Sequence, residues 1–441
     1  MPTLRIHRQS SGILSLAILC AVSMVYYHLG LFVPRAMEVR ATQGFSNGYS
    51  FGADFYPIWL TSREGQLHHS DPYSPEMTRQ IQIGLFGRSL HARNPAAPPD
   101  YRAFAYPAFA DVLFWPLALL PFSVVRIGLA VILPAVTALS VVLWLRAFRL
   151  RASAAILVSL TLFTLSSYAV LEGLFAEQTG LFVGFLLAAS LAAIAGQRLF
   201  LSGSLLALTL IKPQMMVLVA AYLLLWSFAE WRVRRRFAEG FLLMSAALGM
   251  SSLLVWRRWI LEWLQIMFGY RQYSTPPLVC YLLGNQIGSR LGPILIAALL
   301  ASAVVLATRT RHASPSSTGF ALAVSLLLAI TAITLLPGHA VYDHVILLPG
   351  IILIALSWRG FAASGPLFRV VLGVTALALF WQWIFAPVVI AMRPILPPQL
   401  FASVMLTLPI RTAGSIPFGL VALLGLMMRQ ETRKQRAGGG S

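Results

Sequence analysis

Long runs without an acid, lysine or arginine decide what this chain can become. "SGILSLAILCAVSMVYYHLGLFV" is one such run, and about 20 residues of helix cross the hydrocarbon core of a bilayer. Backbone N–H and C=O groups in hydrocarbon must be satisfied within the protein, so continuous runs of this length read as helices. Hydrophobic runs, each with at most one acid, lysine or arginine, lie near 12–33, 123–145, 152–171, 178–196, 199–212, 214–230, 237–256, 291–308, 318–336, 344–358, 367–391 and 408–428. They predict an all-α polytopic membrane protein with about 12 transmembrane helices. A transmembrane β-barrel would show short alternating segments instead. The runs 199–212 and 344–358 are short for a crossing, and Pro349 interrupts the second, so both read as broken or tilted helices.

The first run follows Arg5 and Arg8 but is longer than a signal-peptide core. No small-residue cleavage site ends it, so it reads as a retained span. Residues 1–437 read as a single transmembrane domain, and "GGGS" at 438–441 as an appended linker. Cys20 and Cys280 are too few and too far apart for a disulfide framework or a metal knuckle.

The formal net charge of +19 raises the question of nucleic acid. The arginines are scattered over short loops with no aromatic–basic module to hold a strand, so no nucleic-acid partner is expected. Basic loops instead mark the cytoplasmic side of a membrane protein. Arg5 and Arg8, "RAFRLR" (146–151), Arg198, "WRVRRR" (231–236), "TRTRH" (308–312), Arg359 with Arg369, and "RQETRKQR" (429–436) share one side if the spans alternate. The expectation is a bacterial plasma-membrane protein with both termini cytoplasmic. The alternation holds only if "FAYPAFADVLFWPLALLP" (104–121) does not cross. Pro107, Pro116 and Pro121 suit a re-entrant or interfacial element, within a long first extracytoplasmic loop at 34–122 that carries interfacial helices.

The acids number fourteen. Glu230, Glu239 and Glu431 fall on the basic side; Glu38, Asp54, Glu64, Asp71, Glu76, Asp100, Asp111, Glu172, Glu177, Glu262 and Asp343 fall on the other. Ionisable groups at or within a membrane are costly, so their collection at one level marks a functional site. Asp54, in "ADFYPIW" with Tyr56 and Trp59 close by, suits a general base that takes a hydroxyl proton. It suits equally an interfacial helix cap. Lys212 in "LIKPQ" is either a snorkelling anchor or a point charge for a phosphate; a second apolar run begins at once after it, which favours the phosphate. His339, Tyr342, Asp343 and His344 form a polar knot in "PGHAVYDHVILLPG" that fits phosphate or sugar binding, or a self-satisfied loop, ahead of a metal. "AEQTG" and "GNQIGSR" offer Gln178, Asn285, Gln286 and Arg290; the amides can both donate to and accept from sugar hydroxyls, though helix capping serves each as well. No phosphate-binding glycine loop, nucleophile elbow or soluble nucleotide fold is present.

Taken in order, "ADFYPIW", "DPYSPEM", "FAYPAFADVLFWPLALLPF", "EQTGLFVGFLLAASL", "LTLIKPQ", "GNQIGSRL" and "HAVYDHVILLPG" resemble the polytopic GT-C glycosyltransferases, and specifically glycosyltransferase family 87. Departures are Ala108 for a second proline, Glu177 for glycine and Gly180 for asparagine, and they bear on the substrate more than on the reaction class. The resemblance implies a GT-C fold and an inverting hexosyltransferase that takes its sugar, mannose by default, from a polyprenyl phosphate. The acceptor is a lipid or glycan at the extracytoplasmic face, and membrane lipids surround the donor tail. In that mechanism Asp54 is the base, Lys212, His339 and His344 face the donor phosphate, and Tyr56, Gln178, Gln214, Asn285, Gln286, Tyr342 and Asp343 line the sugar and acceptor. No metal or other cofactor is expected. A lipid-linked sugar flippase or transporter, or an enzyme like the O-antigen ligases and polymerases, is the alternative. The flippase would use midplane ionisable groups in broken helices.

Overall fold

The computed structural model describes residues 10–42, 54–90, 102–270, 273–361 and 365–438. The chain starts with α1 (Ser10–Tyr26), which passes through a π-helical stretch at Tyr27–Phe32 into α2 (Val33–Thr42). Then come α3 (Tyr56–His68), α4 (Pro75–Phe86), α5 (Phe109–Ala118) and α6 (Phe122–Ala147). Next are α7 (Ala154–Leu165), α8 (Tyr168–Phe175), α9 (Thr179–Ala195), α10 (Leu199–Leu208), α11 (Val217–Ala229) and α12 (Trp231–Val255). The last third holds α13 (Trp259–Tyr270), α14 (Leu278–Thr310), α15 (Thr318–Thr334), α16 (Leu348–Ser357), α17 (Pro366–Met392), α18 (Pro398–Ala413) and α19 (Ile416–Gly438). Among the described residues there is no strand beyond one isolated bridge, Pro277 to Pro337.

Seven helical segments are long and apolar enough to cross a membrane, or eight if α7 and α8, bent by 59°, count as one. The sequence expectation of about 12 spans is therefore matched only in part. Four of the expected spans correspond to the shorter apolar helices Thr179–Ala195, Leu199–Ile211, Val217–Ala229 and Thr318–Thr334. A helix of 17 residues reaches about 26 Å, short of a hydrocarbon core of about 30 Å. Of these, α15 lies inside the bundle, whereas α10 and α11 expose Phe200, Leu201, Val217 and Phe228. From Gly319 to Thr334 every residue of α15 is buried, as expected of a helix that is apolar all round. The expected span 291–308 begins earlier than its apolar run, because α14 continues back through "GNQIGSR" across a kink at Gly284, where φ is +75°.

The segment 104–121 contributes only the ten-residue α5. It is fastened to α3: Thr61 Oγ1 and Ser62 Oγ donate to the Asp111 carboxylate at 2.9 and 3.3 Å. Trp59 Nε1 and Arg63 Nη1 donate to the carbonyls of Leu120 and Ala118, at 2.9 and 3.0 Å. From the other side Trp263 Nε1 reaches the Ala105 carbonyl at 3.2 Å, and Trp259 packs edge-on against Phe109. The first-loop positions 43–53 and 91–101, Asp100 included, lie outside the described residues, as do Arg5, Arg8 and the linker residues 439–441.

The basic loops gather at one end of the bundle. Arg149 donates to the Ala195 carbonyl at 3.4 Å and Arg234 to the Arg311 carbonyl at 3.0 Å. Glu230 faces both Arg234 and His312 at 2.8 and 3.6 Å. Near the same end α10 and α12 cross closely. A Cβ on Gly203 would fall on the Phe237 carbonyl, and one on Gly240 on the Phe200 carbonyl. Small residues let helix backbones approach where lipid supplies no hydrophobic drive between helices.

Overpacking a close contact typically destabilises by 1–3 kcal/mol. Gly203→Ala should therefore lower stability by about that much, read as a lower unfolding midpoint of the detergent-solubilised protein. Gly249→Ala, where a Cβ on α12 meets nothing within 4 Å, should leave the midpoint unchanged. Equal falls in the two variants would contradict the close crossing.

Candidate functional site

Four interruptions of helical structure converge at the end of the bundle away from the basic loops. At the first, α10 tightens into a 3-10 turn at Thr209–Ile211, and a second such turn follows at Pro213–Met215. Lys212 between them has φ −132° and ψ 73°, because the residue before a proline is driven out of the α region. The second is the corner between α8 and α9, where Glu177 has φ +54° and Gln178 is extended. The third is the 3-10 helix Val341–Leu347, which carries Asp343 ahead of Pro349 at the start of α16. The fourth is the entry to α3, where the Asp54 N–H donates to the Ala176 carbonyl at 2.8 Å and pins the two corners together.

The side chains at these breaks form one chain of hydrogen bonds. Arg102 pairs with one oxygen of Asp54, and the Gln178 amide donates to the other. The Gln178 carbonyl oxygen accepts from Lys212 Nζ at 2.6 Å, and Lys212 Nζ donates to Asp343 Oδ1 at 2.9 Å. The ammonium also sits 5.2 Å from the centre of the Tyr342 ring. Thr179 donates to the Tyr106 hydroxyl at 3.3 Å, and Tyr73 donates to the Tyr106 carbonyl at 2.9 Å. Lys212 is 6% exposed and Asp343 2%. Charges at that depth persist only when paired and hydrogen-bonded, and here two cations alternate with two carboxylates. The Asp54 and Gln178 side chains do not cap: α3 and α9 begin without a side-chain cap hydrogen bond.

Of the residues singled out from sequence, Asp54, Gln178, Lys212, Tyr342 and Asp343 meet here. The others lie elsewhere. Tyr56 is buried against Trp59 and Phe122, its hydroxyl where a Cβ on Gly84 would stand. Asn285 and Gln286 are exposed on α14, and Gln214 is half-buried in the second 3-10 turn. His339 is exposed at the edge of the network, held to Thr275 Oγ1 at 2.7 Å and near enough to Asp343 to act on it electrostatically. His344 turns its ring away from the network into the wall of an apolar cavity of about 370 Å³, lined also by Phe163, Leu348, Ile351, Leu379 and Phe380. Its Nδ1 has no hydrogen-bond partner among the described residues.

Gly180 has a steric reason. A Cβ there would land on Asp343 Oδ1 and lie 3.5 Å from Lys212 Nζ. An asparagine at this position would have to displace the ion pair. Sequence reading missed Arg102, although an arginine in a loop assigned to the outer side runs against the positive-inside pattern and was a usable signal. Arg126, in the first turns of α6, pairs with Glu177 at 2.8 Å. Burial raises the Glu177 pKa, and the hydrogen bond from Arg126 opposes the shift. No group of three or more His, Cys, Asp or Glu among the described residues has metal-holding geometry.

An all-helical bundle with membrane-length apolar helices and a buried, charge-balanced site at one end defines a polytopic membrane protein. The sequence model of glycosyltransferase family 87 matches residues 104–337, more than half of the chain. The protein belongs to that family and is a membrane glycosyltransferase. No curated protein and no solved structure matches it. The matched stretch contains Gln178, Gly180 and Lys212, whereas Asp54, Arg102 and Asp343 flank it.

Removing one partner of a buried ion pair typically destabilises by 3–5 kcal/mol, since the other charge is stranded. Lys212→Met should destabilise by about that amount, and Lys212→Met with Asp343→Leu by clearly less than the sum of the two single changes. Additive losses in detergent unfolding would show that the pair is not coupled.

Proposed function

We propose that this glycosyltransferase moves a sugar, mannose by default, from a polyprenyl phosphate to a hydroxyl of a lipid or glycan acceptor at the extracytoplasmic face of the bacterial plasma membrane, with inversion. One observation carries the reading: a single amide, Gln178, joins Asp54 to Lys212, so the proposed base and a cation stand at the ends of one bridge. Their place at the end of the bundle opposite the basic loops supports an extracytoplasmic site, given the positive-inside rule.

In this mechanism Asp54 takes the proton of the acceptor hydroxyl. The oxygen attacks the anomeric carbon from the face opposite the phosphate, the new C–O bond forms as the old one breaks, and the bonding pair leaves on the phosphate oxygen. Both oxygens of Asp54 are engaged in the resting site. An incoming hydroxyl can take the place of one partner, and Arg102, 25% exposed at its side chain, is the accessible one. Once displaced, its guanidinium can turn to the donor phosphate with the bidentate geometry that suits that group. Lys212 supplies a fixed positive field near the charge that grows on the leaving phosphate, the kind of preorganised electrostatics that dominates many enzymes. His339 adds to that field from the rim, near enough to Asp343 to act on it electrostatically, whereas His344 lines the apolar cavity. Tyr342 and Gln178 border the sugar, whereas Tyr56, Gln214, Asn285 and Gln286 lie outside the network and take no part in this mechanism. The apolar cavity beside His344 is the proposed seat of the prenyl tail.

General-base catalysis contributes about 10²–10⁴-fold. Asp54→Asn should reduce transfer from a polyprenyl-phosphate sugar by at least about 100-fold while the unfolding midpoint holds. Unchanged turnover would remove Asp54 from the mechanism. Ala376→Phe, in the lining of the apolar cavity, should raise the KM for a long-chain donor more than for a short-chain one. An equal effect on both would place the tail elsewhere. Activity should also persist in chelator; loss restored by Mn²⁺ or Mg²⁺ would point to a metal-assisted site.

A further inference from the structure

A second cleft, of about 660 Å³, opens between α14 and α19 and is lined by Val305, Leu306, Arg309, Met428, Arg429 and Arg433. It lies at the basic end of the bundle, because the neighbouring Arg311 carbonyl accepts from Arg234. The opposite ends of the same two helices meet where the Leu278 side chain lies 3.2 Å from a Cβ built on Gly414. The cleft is therefore remote from Asp54 and Lys212.

Its charge is unbalanced. Arg309, Arg429 and Arg433 are exposed and form no ion pair among the described residues. Arg429 and Arg433 are four apart on α19, a spacing at which like charges repel, and Arg309 faces them from α14. The nearest acid in sequence, Glu431, is two residues from each arginine, which puts it on the opposite face of the helix. Its carboxylate accepts instead from Gln435 at 3.4 Å. Below the guanidinium groups the wall is mainly apolar, formed by Val305, Leu306 and Met428 with Ser302, Thr310 and Thr432 among them, and at Gly425 a Cβ would meet nothing within 4 Å. A lone arginine at a helix end is an ordinary snorkelling anchor. Three converging on one cleft with an apolar floor make an anion site continuous with an acyl-chain site. Basic pockets between transmembrane helices suit anionic headgroups.

We propose that this cleft binds an anionic glycerophospholipid from the leaflet on the basic side, its phosphate among Arg309, Arg429 and Arg433 and an acyl chain along Val305, Leu306 and Met428. The site is separate from the glycosyl-transfer site.

The test uses the full chain purified in neutral detergent. It is titrated with phosphatidylglycerol or with phosphatidylcholine of the same acyl chains, and bound lipid is read by native mass spectrometry. Phosphatidylglycerol should bind preferentially. Changing Arg309→Gln, Arg429→Gln and Arg433→Gln together should weaken it on the order of 100-fold, from about a fivefold share per basic residue. Gly425→Leu keeps all three charges and fills the floor, and it should also weaken binding. Equal binding of the two lipids overturns the proposal, as does undiminished binding in the triple variant or in Gly425→Leu. Displacement of the lipid by millimolar inorganic phosphate would make this a free-anion site and overturn it as well.

Discussion

The pairing of Lys212 with Asp343 is the contact around which the rest of the site is arranged. An ammonium and a carboxylate, both almost wholly buried among apolar helices, are tolerable only if each finds the other and a further hydrogen-bonding group. Lys212 meets that condition through Asp343 and the Gln178 carbonyl oxygen. Gln178 then has an amide donor to place, and it goes to Asp54. Asp54 in turn carries a negative charge that Arg102 balances. Each residue is held by the need of the one before it, so the position of Asp54 follows from a charge that lies two residues further along the network.

Such a network cannot be built from regular helices alone. Side chains on a straight helix leave it sideways, along a stripe set by the helical period, whereas this network needs groups from four segments at one level. Breaks supply them. Pro213 forces Lys212 out of the helix, the positive φ at Glu177 turns the chain so that Gln178 starts α9, and the 3-10 helix before Pro349 presents Asp343. Gly180 completes the fit by leaving the space that Asp343 and Lys212 occupy. Irregular backbone at membrane depth is sustainable where protein covers it, and α15, buried along its length beside these corners, provides cover.

Much of this was legible in the sequence. Apolar runs gave the helical class and most helix positions, since hydrocarbon permits few other structures. Scarcity made the acids and Lys212 conspicuous, and five of the residues chosen on that ground meet in space. What the sequence could not convey was direction. Asn285 and Gln286 look as suitable as Gln178 by residue type, but they project from the outer face of α14. His344 follows Asp343 in the chain, yet the turn of the 3-10 helix points its ring into a different cavity. Tyr56 neighbours Asp54 in sequence and packs under α4 instead. The span count was harder for a related reason: hydropathy records how apolar a run is, and a helix buried in protein is as apolar as one facing lipid. Arg102 was missed because arginine is common in this chain and signals topology first.

The distribution of charge separates the two ends of the molecule by kind. Most of the surplus behind the +19 lies in the basic loops, where arginines outnumber acids and the α14–α19 cleft leaves three of them without an ion-pair partner among the described residues. The site containing Asp54 is nearly neutral by comparison, two cations against two carboxylates within one hydrogen-bonded chain. A neutral network suits the proposed reaction, in which charge would move rather than accumulate, a proton passing to Asp54 as negative charge departs on the phosphate. A net positive pocket would hold the leaving phosphate too firmly for turnover, because attraction in a low-dielectric site is strong. In the proposed mechanism Arg102 would reconcile attraction with release. Paired with Asp54 it adds no net field to the resting network, and its displacement by the acceptor hydroxyl would free it for the phosphate.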